Sequence, residues 1–160
     1  MTQRHHAQFG LFHVTTNTRH STPWCTWTGV PEILIDNLCM TRNLHGAKVH
    51  AFCILPNHMH MIVIPGRKGL SAFMQSFKRN SSWHIRNTVA TIHESSLRSM
   101  NVMRWQHGFH DERIRDDRQR SAAFSYVTYN AMRHGLVENI DDWPWTSLHR
   151  QEMIDPFVDW

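Results

Sequence analysis

Pro56-Asn57-His58-Met59-His60-Met61-Ile62-Val63-Ile64 is the run on which the reading of the whole chain turns. Two turn residues precede a pair of spaced histidines and an unbroken apolar stretch, the pattern of a buried strand entered from a tight turn. Successive strand side chains point to opposite faces. His58 and His60 therefore project from one face, about 7 Å apart, and Met59 points the other way into a core. Two imidazoles on one face can share a divalent metal. The plain alternative, in a chain with 14 histidines, is an exposed pair on an edge strand.

Outward from this run, Lys48 to Leu55 reads as the preceding strand, and Pro65-Gly66 ends the following one. Gln8 to Asn17, aromatic and β-branched, reads as an earlier strand. Ser21 to Gly29 is a loop. Pro31 to His45, with Ile33, Leu34, Leu38, Met40 and Leu44, reads as an amphipathic helix with Pro31 in its first turn and Gly46 at its end. Ser71 to Val89 is a second helix, its apolar stripe made by Phe73, Met74, Phe77, Trp83 and Ile85. Ala90 to Asn101 has no clear period. Trp105 to Ile114 is a strand or hairpin, and Ser121 to His134 a last helix with Ser121 as N-cap and Gly135 at its C-terminal end. The order β-α-β-β-α-β-α is that of a ferredoxin-like split β-α-β arrangement in its first six elements, an α+β fold.

At 160 residues and 41% apolar content the chain is long enough for one domain with a real core. We expect a single domain over 1–160, with a core of about 8–135 and a tail of 136–160. No apolar run is long enough for a membrane span, and the N-terminus lacks an apolar signal region. Cys25, Cys39 and Cys53 are odd in number and widely spaced, fitting neither a disulfide framework nor a CxxC metal site. Reduced thiols in a cytoplasm are the simplest reading, with Cys39 and Cys53 in the core.

The formal net charge is only +4, but no Asp or Glu occurs from Asn37 to His93. Arg42, Lys48, Arg67, Lys68, Lys78, Arg79 and Arg86 fall in that span, so it presents a positive face suited to a polyanion. Arg67, Lys68, Lys78, Arg79 and Arg86 are the candidates for phosphate contacts. A merely solvated basic face is the alternative. Trp83 could stack on an unpaired base or lie in the core.

In the last helix Tyr126 and Asn130 are four residues apart and share a face, with Arg133 loosely on the same side. Asp111, Glu112, Asp116 and Asp117 form a carboxylate cluster, interleaved with Arg113, Arg115, Arg118 and Arg120; a solvated charged loop is the simpler reading than a metal site.

Leu55-Pro56-Asn57-His58-Met59-His60, then Phe124-Ser125-Tyr126-Val127-Thr128-Tyr129-Asn130-Ala131-Met132-Arg133-His134-Gly135-Leu136, then Asp141-Asp142-Trp143-Pro144-Trp145-Thr146-Ser147 together resemble the single-tyrosine HUH transposases. Among these, the likeness is to REP-associated tyrosine transposases, with their "MPNHxH" strand, "YIxxNPVxxGLV" helix and "DWPWSS"-like tail. It runs from about Phe9 to His149. The resemblance implies an antiparallel sheet with the HUH strand central, helices on one face, and a C-terminal catalytic-tyrosine helix and tail. It implies His58 and His60 as metal ligands, Asn130 as a third, Mg²⁺ or Mn²⁺ as the ion, and Tyr126 as nucleophile, with Tyr129 as rival. It implies cleavage of hairpin-bearing single-stranded DNA through a 5′-phosphotyrosine link, then rejoining by a 3′-hydroxyl. Relatives carry a "WQxxFxDxxIR" stretch near Trp105, and their terminal segments help recognise a hairpin foot. Insertion-sequence members are dimers that exchange the tyrosine helix, whereas REP-associated members can act as monomers; the long tail here favours a monomer, with a homodimer open. Ala131 stands where the family usually has proline, and alanine favours a continuous helix. A DNA- or RNA-binding module without catalysis and a small metallohydrolase are the competing readings.

Overall fold

The computed structural model describes residues 7–92 and 102–157. Most of Ala90–Asn101, for which no period was expected, lies outside the described residues. Four strands, β1 (Leu11–Asn17), β2 (Lys48–Leu55), β3 (His58–Ile64) and β4 (His110–Ile114), form one sheet in the order β2-β3-β1-β4. Every neighbouring pair is antiparallel. Helices α1 (Val30–His45) and α2 (Leu70–Ile92) connect β1 to β2 and β3 to β4. Two C-terminal helices follow, α3 (Asp117–Thr128) and the short α4 (Asn130–Arg133).

Strand alternation divides the core in two. Phe12, Val14, Phe52, Ile54, Met59, Met61 and Val63 pack with Leu34, Leu38, Phe73 and Phe77 of α1 and α2. Leu11, Ala51, Cys53, Leu55 and Ile62 face the other side, where Val127 of α3 covers them. A register shift between Val49 and Ala51 explains how Val49 and Phe52 share a face despite odd spacing, since a bulge inserts one residue and flips the alternation. The His58/His60 face is thus the α3 face, and β3 is an interior strand rather than an edge.

Local chemistry sets the joints. Pro31 lies in the first turn of α1, and Gly46 ends that helix at φ 63°, donating to the carbonyls of Arg42 and Asn43. Gly66 has no room for a side chain: a Cβ there would lie 1.5 Å from the His45 carbonyl oxygen. Gly66→Ala should force the end of α1 from the end of β3 and cost about 3 kcal/mol, read as a lowered urea midpoint with unchanged slope.

Several expectations need correction. Met40, Leu44 and Trp83 are exposed; the buried row on α2 runs Phe77, Ser81, Ile85, which leaves Trp83 on the outside. Cys25 is buried and Cys39 only half-buried, and all three cysteines are free. The strand expected within Trp105–Ile114 forms at His110–Ile114, on the sheet edge, so Asp111 and Glu112 of the carboxylate cluster lie on a strand rather than in a charged loop. Ser121 does not cap the last helix. Asp116, in extended backbone, accepts from the Gln119 backbone N–H, and the Gln119 side chain accepts from that of Arg115. The helix is not continuous either. It breaks at Tyr129 (φ −102°, ψ 15°), and the Asn130 side-chain amide donates to the Tyr126 carbonyl at 3.3 Å. Asn37 makes the same contact to the Ile33 carbonyl inside the unbroken α1, so that bond alone does not break a helix. The helical preference of Ala131 does not carry the helix through the non-helical Tyr129 backbone.

The tail lies along β2, which would otherwise present an unpaired edge. Ile54 donates its backbone N–H to Trp145 O, Trp143 Nε1 donates to Ile54 O, and Phe52 N–H donates to Ser147 Oγ. Farther along, Asp155 N–H donates to Val49 O at 2.7 Å and the Asp155 carboxylate accepts from Val49 N–H at 2.9 Å. Phe157 stacks on His50 with centroids 4.3 Å apart. Among the described residues no helix is long and apolar enough to cross a membrane.

Candidate active site

Pairing of β1 with β3 sets Thr15 directly across from His60 and Asn17 across from His58. The α3 face of the sheet therefore carries His13, Thr15, His58 and His60 together. His60 Nδ1 lies 2.9 Å from both His13 Nε2 and Thr15 Oγ1. His58 Nδ1 donates to Asn57 Oδ1 at 2.7 Å. The His58 and His60 rings are 5.0 Å apart. Burial pushes the His58 imidazole down to about 4, with a smaller push from His134. His60 is pushed down to about 2 by burial and by the neighbouring His13, His58 and His134. Burial lowers His13 too, against the opposing pull of Glu112. Both members of the pair are thus neutral at pH 7, the state in which an imidazole ligates a metal.

The C-terminal helices roof this face. The Tyr126 ring sits 5.5 Å from that of His60 and 5.6 Å from that of His13, while the His134 ring sits 5.1 Å from that of His58. Asn130, one turn from each, is bracketed between them and fully buried, and its Oδ1 lacks a hydrogen-bond partner. The Arg133 guanidinium lies over the Tyr126 ring at 4.7 Å. His13, Thr15, His60, Glu112, Arg113 and Tyr126 line a pocket of about 400 Å³; Tyr129 is not among its lining residues.

Whether a metal fits turns on the donors. Among the described residues no three His, Cys, Asp or Glu side chains are grouped to hold an ion. A third protein donor would then have to be of another type, and the amide oxygen of Asn130 is the one the resemblance implies. His60 Nε2 and Asn130 Oδ1 are both buried polar atoms without partners, and a buried unpaired polar atom is costly unless something meets it. Two neutral imidazoles and an amide oxygen make an N,N,O set suited to a divalent cation.

The predicted phosphate contacts separate. Arg67 and Lys68 are exposed in the turn after β3. Lys78, Arg79 and Arg86 line a cleft of about 710 Å³ between α2 and residues 103–109, with Trp105 and His107. Lys78 is tied up within the protein: its Nζ donates to the carbonyls of Gln106, at 2.6 Å, and Gly108, and burial lowers it to about 8. Lys78→Met should cost about 1.5–3 kcal/mol through those lost charged hydrogen bonds. Arg79→Ala, at an exposed site, should leave the thermal midpoint unchanged and reduce the salt dependence of DNA binding; melting curves with a salt titration check both.

His13 and Thr15 carry no site role in the sequence pattern, Glu112 stands there only in the carboxylate cluster, and His134 only at a helix end; the structure brings all four to this face or its pocket. The signal for the first two was present, since residues 11, 13 and 15 alternate on one face of a predicted strand. What was missing was the strand order that puts them beside His60.

A family model described as "Transposase IS200 like" matches residues 11–130. The chain is similar to a REP-associated tyrosine transposase of Escherichia coli (strain K12), with 23% identity over 161 residues, covering 99% of this chain and 88% of that protein. It is also similar to a Haemophilus influenzae protein described as belonging to the REP-associated tyrosine transposases, with 28% identity over 113 residues and 69% of this chain; the chain spans 64% of that relative's length. A solved REP-associated tyrosine transposase bound to a REP hairpin shares the fold, with TM-score 0.73, 21% identity, and cover of 100% of this chain and 90% of that one.

Proposed function

The chain belongs to the IS200-like transposase family, and from that premise we propose that it cleaves and rejoins single-stranded DNA at hairpin-bearing sequences through a covalent tyrosyl–DNA intermediate. The observation that carries this reading is the position of Tyr126. The roof helices hold its ring against His60 and His13 at the rim of a half-open pocket, with a guanidinium over it.

In this reading the Tyr126 oxygen attacks a backbone phosphorus. The bond from phosphorus to the 3′-oxygen breaks, leaving a 5′-phosphotyrosine and a free 3′-hydroxyl. The phenol loses a proton and the departing oxygen gains one, so the step is proton-neutral. Reversal by the same or another 3′-hydroxyl rejoins strands without ATP, because the phosphoester is kept. His58, His60 and Asn130 would hold Mg²⁺ or Mn²⁺. When bound, the ion supplies positive charge against the phosphate oxygens. Arg133 adds a fixed cation beside the attacking group, and Arg79 and Arg86 bind the backbone along the α2 cleft. The tail covering β2 supports a monomer, and reduced cysteines suit a cytoplasmic protein acting on chromosomal DNA.

The test is an assay of labelled hairpin single strands from the flanks of its own gene, with Mn²⁺ or with EDTA. We expect metal-dependent formation of a protein–DNA adduct together with a free 3′-end. Tight binding with neither product would reduce the protein to a binding module. Cleavage with no adduct would make it a metallohydrolase.

A further inference from the structure

Both histidines of the pair have their Nδ1 atoms occupied. Asn57 Oδ1 is an acceptor, so His58 Nδ1 carries the hydrogen of that 2.7 Å bond. For His60 the buried Nε2 decides. If Nδ1 accepted from Thr15, the ring hydrogen would sit on Nε2, buried with no acceptor, and a buried donor left unpaired is rarer than an unpaired acceptor. If Nδ1 carries the hydrogen, it is shared between Thr15 Oγ1 and His13 Nε2, each 2.9 Å away, and Nε2 keeps a lone pair. The cross-strand partnership of Thr15 and His60 builds this arrangement into the sheet register.

We infer that Thr15 and His13 are positioning residues that lock His60 as its Nδ1–H tautomer, so that its Nε2 lone pair is aimed at a divalent cation before the cation arrives; Asn57 does the same for His58. Partners of this kind orient a ligating imidazole and raise its basicity, and their loss costs about 10–100-fold in metal affinity. The inference rests on the metal reading above. It predicts that Thr15 sets cation affinity through one hydroxyl.

Two measurements separate the inference from the reading beneath it. In the metal-free protein, ¹⁵N shifts of the His58 and His60 rings at neutral pH should report a protonated Nδ1 and a bare Nε2. An Nε2–H tautomer at His60 would overturn the inference whatever the protein binds. Mn²⁺ binding followed by electron paramagnetic resonance should weaken about 10–100-fold in Thr15→Val, while Thr15→Ser, which keeps the hydroxyl, should bind like wild type. Unchanged affinity in folded Thr15→Val would overturn the positioning role. Equal Mn²⁺ binding by wild type and His60→Ala would remove the metal site itself, and the inference with it.

Discussion

Tyr126→Phe should abolish covalent capture of DNA while leaving hairpin affinity within about twofold of wild type, a free-energy change below 0.5 kcal/mol. The phenylalanine ring keeps the packing against His13 and His60 and the face presented to Arg133. Only the hydroxyl is lost, from a side chain 37% exposed, so the fold should change little. On the proposed reading Tyr129 is no ready substitute, since it is not among the residues lining the pocket and sits at the break in the helix. Denaturing gels of trapped complexes check the loss and a filter-binding titration checks the affinity. A parallel fall in both would make Tyr126 a DNA contact rather than a nucleophile.

His60→Ala should reduce adduct formation by about 10²–10⁴-fold, the range expected when several kcal/mol of charge stabilisation at the phosphate is withdrawn. The substitution removes no charge at pH 7, because burial and the neighbouring histidines hold this imidazole neutral. DNA affinity in EDTA should therefore hold, which separates a ligand role from a phosphate contact. It also empties a buried site on an interior strand and strips His13 and Thr15 of their shared partner, so the melting temperature should fall. Excess Mn²⁺ should restore part of the activity through His58 and Asn130. A loss of DNA affinity in EDTA as large as the loss of activity would contradict the assignment.

What could be read before folding was whatever is local. Alternation over residues 58–64 and the turn at Pro56-Asn57 fixed which face His58 and His60 share, and Met59 is buried on the opposite side. Asp116-x-x-Gln119 is a readable capping pattern, and it, not Ser121, starts the helix. The side of α2 taken by Trp83 was not readable, because the row Phe77, Ser81, Ile85 is only chosen once α1 and the 103–109 segment pack against it. The break at Tyr129 is a local backbone conformation that helix propensity at Ala131 does not register. The part played by His13 and Thr15 needed the pairing register of β1 with β3, a contact between segments more than 40 residues apart in sequence.

The most direct measurement of the central claim is mass spectrometry of the trapped complex after nuclease and protease digestion. The account predicts a residual nucleotide 5′-phosphate on Tyr126 and an unmodified Tyr129 in the same peptide. A phosphate on Tyr129, or a DNA product with no modified tyrosine anywhere in the chain, would contradict it.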